Sequence, residues 1–267
     1  MNSEMYTSID LSNESKEKNS SKVSIVIPCF NSERTIARCL DSILAQSHTC
    51  IEILIYDDAS HDATLSIIQA YEASHPNLKV FYGAENMGAG YARNHLLSKA
   101  TGEYIAFIDA DDEWHPQKIS VQLNEMHLNN ADVAICHYNV FDEEKKFRGT
   151  RTVPVPVNLA TLHITNWIPM SMAIFKSSLK NSRNMPALRR RQDYAFWLTL
   201  FRHNPGLRCH VSRHVLGSYY KTQGSLSSNP IINFRDTLKM FRETQNYPLL
   251  LCVFFVLMNA SVRVFRV

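Results

Sequence analysis

The sequence predicts an α/β protein built on a mainly parallel, doubly wound sheet. Short, continuous apolar runs recur along the first 140 residues, segments with helical spacing of apolar residues separate them, and three of the runs end in polar or acidic residues. A strand that is apolar along its whole length is buried on both faces, as parallel strands covered by helices are. Alternation of such strands with helical segments points to parallel crossovers.

Val23 to Pro28 is the first apolar run. Ile36, Leu40, Ile43 and Leu44 then share one face of a helix that Ser32 is expected to cap. Ile51 to Tyr56 is the second strand, followed by a helix with Leu65, Ile68 and Tyr71 inward and Ser60 as its expected cap. Leu78 to Tyr82, a helix over Gly88 to Ala100, and a fourth strand over Tyr104 to Ile108 complete the series. Pro116 opens another helix, as proline suits a first turn, and Ala131 to Val140 is a further strand. Beyond Phe141 the pattern loosens. Trp167 to Phe175 reads as a strand, Gln192 to His203 as a helix, Leu207 to Tyr220 as a strand pair, and Asn233 to Thr244 as a basic amphipathic helix.

At 267 residues the chain can bury a full core. Its formal net charge of +3 hides an asymmetry: residues 1–175 carry a net −9 and residues 176–267 a net +12. The acidic part suits cations. The basic part suits an anion, whether a phosphorylated substrate, an anionic membrane surface or nucleic acid. No recognisable nucleic-acid module accompanies it, so no nucleic-acid partner is expected. The six cysteines show neither a CxxC pair nor metal-ligand spacing and read as reduced thiols. Residues 1–21, polar and without a secretory pattern, read as a disordered lead-in to a cytoplasmic protein. Leu249 to Met258 is strongly apolar but about half the length of a membrane span. With Arg242, Arg263 and Arg266 around it, it is either a packed helix or one that lies in a membrane interface or against another subunit.

Ligands of open α/β sheets sit at the carboxyl ends of the strands. Here those ends are Pro28-Cys29-Phe30-Asn31, Asp57-Asp58-Ala59-Ser60 and Asp109-Ala110-Asp111-Asp112. Helix capping accounts for Asp57, Asp62 and Asp112. It accounts poorly for Asp109 and Asp111, because so many carboxylates on one strand end repel one another unless a cation offsets them. A hard divalent metal completed by substrate phosphates fits that arrangement. There is no Walker loop and no GxGxxG after the first strand, which argues against nucleoside triphosphate hydrolysis and dinucleotide binding. Arg93, one turn into the helix after Gly88 and Gly90, is in reach of a diphosphate at the same edge. Arg189, Arg190 and Arg191 are either a solvated loop or contacts to a phosphate on donor or acceptor.

Four segments, VSIVIPCFN (23–31), EILIYDDAS (52–60), NMGAGYARN (86–94) and TGEYIAFIDADDEWHP (101–116), resemble in order and spacing the motifs of family 2 glycosyltransferases with the GT-A fold. QDYAFWLTL (192–200) is similar to a later family motif in which a Glu-Asp pair opens a helix, with Gln192 in place of the Glu. The resemblance implies a Rossmann-like GT-A domain with a nucleotide-sugar-binding half over 22–130. An acceptor and catalytic-base half would follow over 131–229, and a basic, apolar helical segment over 230–267. It implies that Pro28 and Phe30 flank the nucleoside, that Asp58 accepts a hydrogen bond from the base, and that Asn31 and Ala110 join the donor site. Arg93 would lie by the diphosphate, Asp109 by the ribose, and Asp111 would hold Mn²⁺ or Mg²⁺. Asp193 matches the general base. The implied reaction is inverting transfer of a sugar from a nucleotide-diphosphate donor, UDP foremost, to a hydroxyl of a glycan or lipid-linked glycan in cell-surface polysaccharide synthesis. Tyr219 to Ser227 resembles the family's closing loop. A nucleotidyltransferase, or a sugar-nucleotide-binding protein without activity, are the rival readings.

Overall fold

The computed structural model describes residues 21–182, 184–221 and 230–264; the expected lead-in and most of the expected closing loop lie outside them. The chain opens with β1 (Val23–Cys29), α1 (Ile36–Leu44), β2 (Ile51–Asp57), α2 (Thr64–Ser74), β3 (Leu78–Tyr82), α3 (Ala89–Lys99) and β4 (Tyr104–Phe107). These four strands pair in parallel in the order β3-β2-β1-β4. Cys29 lies beside Asp57 and Asp57 beside Tyr82, so the carboxyl ends of β1 to β3 form one edge.

Next come β5 (Glu113–Trp114), α4 (Lys118–Leu128), β6 (Val133–Phe141), β7 (Phe147–Arg151), α5 (Leu159–Ile164), β8 (Ala173–Lys176), α6 (Gln192–His203) and β9 (Cys209–Tyr220). β8 joins β4 antiparallel and carries the sheet on through β6, β9 and β5, with β7 forming a hairpin beside β6. α7 (Pro230–Gln245) and α8 (Leu249–Val264) close the described chain.

The expected α/β fold is found, with the parallel crossovers concentrated before residue 110 and a mixed half beyond it, in which β6 and β9 pair in parallel while β8, β7 and β5 run antiparallel to their neighbours. Val23, Ile25 and Ile27 of β1 pack with Ile36, Leu40 and Ile43 of α1 on one face, together with Ile119 and Leu123 of α4. Val26 points the other way, into a core shared with Leu96 of α3 and Phe196 of α6. That alternation is the two-residue period of a strand working on two buried faces.

Several local expectations are corrected. Cys209–Tyr220 is one twelve-residue strand rather than a pair, since it contains no turn. Gly217 sits within it because a Cβ there would collide with the Met172 sulfur. In Trp167 to Phe175 the strand begins only at Ala173, after a 3₁₀ turn over Met170–Met172. Ser32 does not cap α1 with its side chain; its carbonyl accepts the Thr35 and Ile36 amides. The start of α2 is held by the Asp62 carboxylate on the Thr64 amide at 3.0 Å, while Ser60 Oγ donates to Asp57 at 2.5 Å.

At the opposite, amino edge a polar clamp ties β1, β2 and the loop before β4. Glu52 accepts from Ser24 Oγ at 2.5 Å and the Thr101 amide at 2.7 Å, and pairs with Lys22 at 2.8 Å. Burial works against the Glu52 carboxylate, yet these donors outweigh it and lower its pKa to about 2. The Gly102 amide donates to Ser24 Oγ at 2.8 Å. A Cβ at Gly102 would stand 2.7 Å from both the Lys22 carbonyl oxygen and the Ser24 nitrogen. Backbone on both sides cannot yield as a side chain can. Gly102→Ala is therefore expected to cost about 1–3 kcal/mol by overpacking, read as a lower melting temperature with the far-UV spectrum retained. Unchanged melting would contradict the tight approach.

Candidate functional site

After β4 the chain folds back on itself, the Asp112 amide donating to the Asp109 carbonyl at 3.0 Å. The Asp109 carboxylate receives Arg93 Nη2 at 2.5 Å, and Arg93, rising from α3, is buried. The Asp109 amide donates to Ser171 Oγ at 3.0 Å, which fixes the strand end to the 3₁₀ turn. Asp112 is buried and accepts the Tyr220 amide at 3.3 Å. Arg38 of α1 donates to the Asp111 carbonyl at 2.7 Å, pairs with Glu113, and lies over the Tyr220 ring at 3.7 Å.

Burial, and then the charge of Asp109, push the Asp111 carboxyl up to about 6. Burial and then the Asp111 and Asp109 charges push Asp112 well up too. The crowding inferred from sequence is thus present in space. Ala110 has its side chain in the core and can contribute only backbone.

A cleft of about 300 Å³ opens on this strand end. Arg93 and Asp109 line it together with Arg189, Arg190, Arg191 and Asp193. The structure therefore brings one subset of the expected residues to a single space, from segments about 100 residues apart. Arg191 adopts a left-handed conformation (φ 64°) that turns the chain into α6, and Asp193 sits in the first turn of that helix. Asn166 Nδ2 donates to Asp193 Oδ2 at 2.9 Å, while Asn166 Oδ1 accepts the Ile168 amide at 3.1 Å, which fixes the amide's orientation.

α3 positions the opposite wall. A Cβ at Gly90 would collide with the Gln192 side chain, so the glycine lets α6 approach. Asn94 clamps the backbone of Met185, its Oδ1 accepting the amide at 2.7 Å and its Nδ2 donating to the carbonyl at 2.9 Å. Arg190 is tied at 3.2 Å to Asp236 of α7. The glycine, arginine and asparagine of GYARN thus do three jobs: packing, pairing with Asp109, and holding the segment that leads to the arginines.

Ala110 and Asp111, which follow β4, are not among this cleft's walls, and the remaining expected residues lie outside them too, at the ends of β1 and β2. Pro28 is buried within β1, whereas Phe30 is 41% exposed and meets His61 edge-on. Asn31 (φ 48°) ties the two loops, its amide donating to Ser60 Oγ and its Oδ1 accepting the His61 amide, both at 2.9 Å. Asp58 is 2% exposed and spends its two oxygens on the Met87 and Gly88 amides, at 2.9 and 2.7 Å. In this structure it holds the loop that starts α3. Exposed Met87 and Tyr91 stand beside that loop.

Sequence reasoning missed Arg38, Asn166, Ser171 and Tyr220. Arg38, Asn166 and Ser171 lie in no motif, Tyr220 lies at the start of the closing segment, and each acts through a backbone or side-chain partner far along the chain. Among the described residues no group of three or more His, Cys, Asp or Glu is placed to hold a metal ion. The oxygen-only donors at Asp109 and Asp111 suit a hard divalent cation only if further oxygens come from a ligand.

The mixed α/β sheet thus sets carboxylates and arginines facing one another across a cleft at its carboxyl edge, an arrangement suited to a phosphorylated ligand. The model described as glycosyl transferase family 2 matches residues 24–203, and the chain belongs to that family: it is a glycosyltransferase. It is 31% identical over 228 residues to Bacillus subtilis TuaG, named as a teichuronic acid biosynthesis glycosyltransferase, covering 84% of this chain and 88% of that one. It is 29% identical over 209 residues to the Escherichia coli UDP-Glc:alpha-D-GlcNAc-diphosphoundecaprenol beta-1,3-glucosyltransferase WfgD, covering 78% and 80%. In fold it is similar to S. aureus TarS in complex with UDP-GlcNAc (TM-score 0.71, 22% identity, 90% of this chain and 73% of that). It is likewise similar to the mannosyltransferase PcManGT from Pyrobaculum calidifontis in complex with GDP-Man and Mn²⁺ (TM-score 0.63, 17% identity, 90% and 73%).

The electrostatics of Asp111 carry a testable consequence. Its folded value of about 6 lies above the unfolded carboxylate value of about 3.9. Asp111 therefore costs nothing below that unfolded value, and its cost grows as pH rises through the folded one. In the presence of a chelator, Asp111→Asn is expected to be more stable than the wild type at pH 7.5, by at most about 3 kcal/mol. The difference should vanish towards pH 4. Equal or lower melting of the variant at pH 7.5 would contradict the crowding.

Proposed function

We propose that this glycosyltransferase moves a sugar, with inversion, from a UDP-sugar to a hydroxyl of a lipid-linked glycan, with Asp193 as the general base. The observation that carries the proposal is the cleft itself. It sets the Asp193 carboxylate, oriented by Asn166, across from the Arg93–Asp109 pair and beside three arginines.

In this reading Arg93 and the 189–191 arginines face the diphosphate and stabilise the negative charge that builds on it as the sugar leaves. A divalent ion, Mn²⁺ or Mg²⁺, would be held by Asp111 with Asp109 beside it and would neutralise the leaving diphosphate when bound. The carboxylate crowding supports that assignment, because a cation relieves it. Asp193 takes the proton from the acceptor hydroxyl as it attacks. The other carboxylates lining the cleft are engaged, Asp109 by Arg93 and Asp112 by the Tyr220 amide. Asp193 stands apart from these two as a single base, which favours direct attack and inversion. Phe30, at the end of β1, is the exposed aromatic available to a nucleoside. The TarS complex with UDP-GlcNAc supports a UDP donor, and the name of WfgD supports a diphosphate-linked polyprenyl acceptor.

A lipid-linked acceptor also gives α8 a role. The helix packs Cys252, Val256 and Asn259 inward and leaves Leu250 86% and Phe254 54% exposed. Arg235, Lys239 and Arg242 are exposed on α7 next to it. No described helix is long and apolar enough to cross a membrane. The proposal places this apolar and basic surface on the inner face of the cytoplasmic membrane, as a peripheral contact. Leu250→Glu with Phe254→Glu is expected to abolish co-sedimentation with anionic vesicles at unchanged melting temperature. Retained sedimentation would assign α8 to packing alone.

The base is tested by Asp193→Asn. Asparagine keeps the shape, and at a helix start it is as good a cap as aspartate. Melting temperature and donor affinity should stay near the wild type, while turnover falls by a factor of about 10² to 10⁴. A variant retaining more than about a tenth of wild-type turnover, above that range, would remove Asp193 from proton transfer.

A further inference from the structure

A second, smaller groove of about 170 Å³ lies next to the cleft. Its walls come from the β6–β7 hairpin, with Tyr138, Thr150 and Arg151, and from the segment after α5, with Asn166, Trp167 and Pro169. Pro169 lines both spaces, and Asn166 is the residue whose amide holds Asp193. The groove is therefore joined to the cleft at Pro169 and to Asp193 through Asn166.

Its chemistry differs from that of the cleft. Two aromatic rings, one of them a phenol, and an amide line a space too small for a nucleotide sugar and close to the size of a single sugar ring. Aromatic faces with a few convergent polar groups suit the apolar face and hydroxyls of a sugar. Trp167 is held in place by its Nε1 donating to the Thr161 carbonyl at 3.0 Å. Arg151, exposed in the same wall, carries a guanidinium suited to bidentate contact with a phosphate.

The groove is also tied to α8. Asn259 Nδ2 donates to the Ile164 carbonyl at 3.1 Å, and His163 stacks on Phe255 with ring centroids 4.6 Å apart. α5 thus rests on α8 and leads directly into Asn166 and Trp167.

We propose that this groove is the acceptor subsite, taking the terminal sugar of a glycosyl diphosphate against Trp167 and Tyr138 with its phosphate on Arg151. The inference rests on the transferase reading above and adds to it the residues that select the acceptor. The sugar ring presents a hydroxyl towards Asp193, and the diphosphate leaves the groove at Arg151.

The test uses the full chain and two separate titrations, one with UDP-glucose and one with an N-acetylglucosamine diphosphate ester bearing a short alkyl chain. Arg151→Gln removes the phosphate contact from an exposed strand position. Trp167→Leu removes the larger stacking face from the opposite wall. Both variants are expected to weaken binding of the ester at least fivefold and to leave UDP-glucose affinity within twofold of the wild type. Wild-type affinity for the ester in both variants would overturn the subsite. So would a wild type that binds UDP-glucose but not the ester. A wild type that fails to bind UDP-glucose would instead overturn the donor reading on which the subsite rests.

Discussion

Three carboxylates within four residues, Asp109, Asp111 and Asp112, are held at the end of β4 where burial makes their mutual repulsion expensive. The surrounding structure is organised to contain that repulsion. Arg93 from α3 neutralises Asp109, Arg38 from α1 braces the Asp111 carbonyl, and the Tyr220 amide from β9 meets Asp112. Each partner comes from a different element, so the acid cluster ties α1, α3 and β9 together at one strand end. A fold with no use for this charge would gain stability by losing it. Its presence at the carboxyl edge of a parallel sheet is the physical basis for assigning donor chemistry there.

α3 has the complementary task. It presents Arg93 to the acid cluster, yields space to Gln192 through Gly90, and clamps Met185 through Asn94. One helix therefore sets the separation between the strand-end carboxylates and the segment bearing Arg189 to Asp193. The proposed mechanism needs that separation fixed, since a base and a leaving-group site contribute only when the donor and acceptor between them are aligned. Asn166 does the same for Asp193 from the other direction, and through α5 it connects the base to the helix whose outer face is apolar.

Much of this was legible in the sequence. The first four strands and their helices follow from apolar runs and helical spacing, because both sheet faces are buried and the pattern is strong. The acids after β4 and Arg93 could be read as facing one another, since strand ends in such folds converge. The second half was harder. β8 and β9 enter the sheet antiparallel or after long connections, and Gly217 within β9 reads as a turn until Met172 is seen against it. Asp58 illustrates another limit: its motif was visible, but only the coordinates show its oxygens also accepting the Met87 and Gly88 amides. Ser171, Asn166 and Arg38 carry no local signal at all, as their partners are 27 to 73 residues away.

The central claim is that the acid cluster and its facing arginines form a cation-dependent diphosphate site. Calorimetric titration of UDP-glucose into the wild type and Asp111→Ala, each with Mn²⁺ and with chelator, tests it most directly. The account predicts binding that depends on Mn²⁺ in the wild type and loses that dependence in a variant that remains folded. Equal affinity in all four titrations would contradict it.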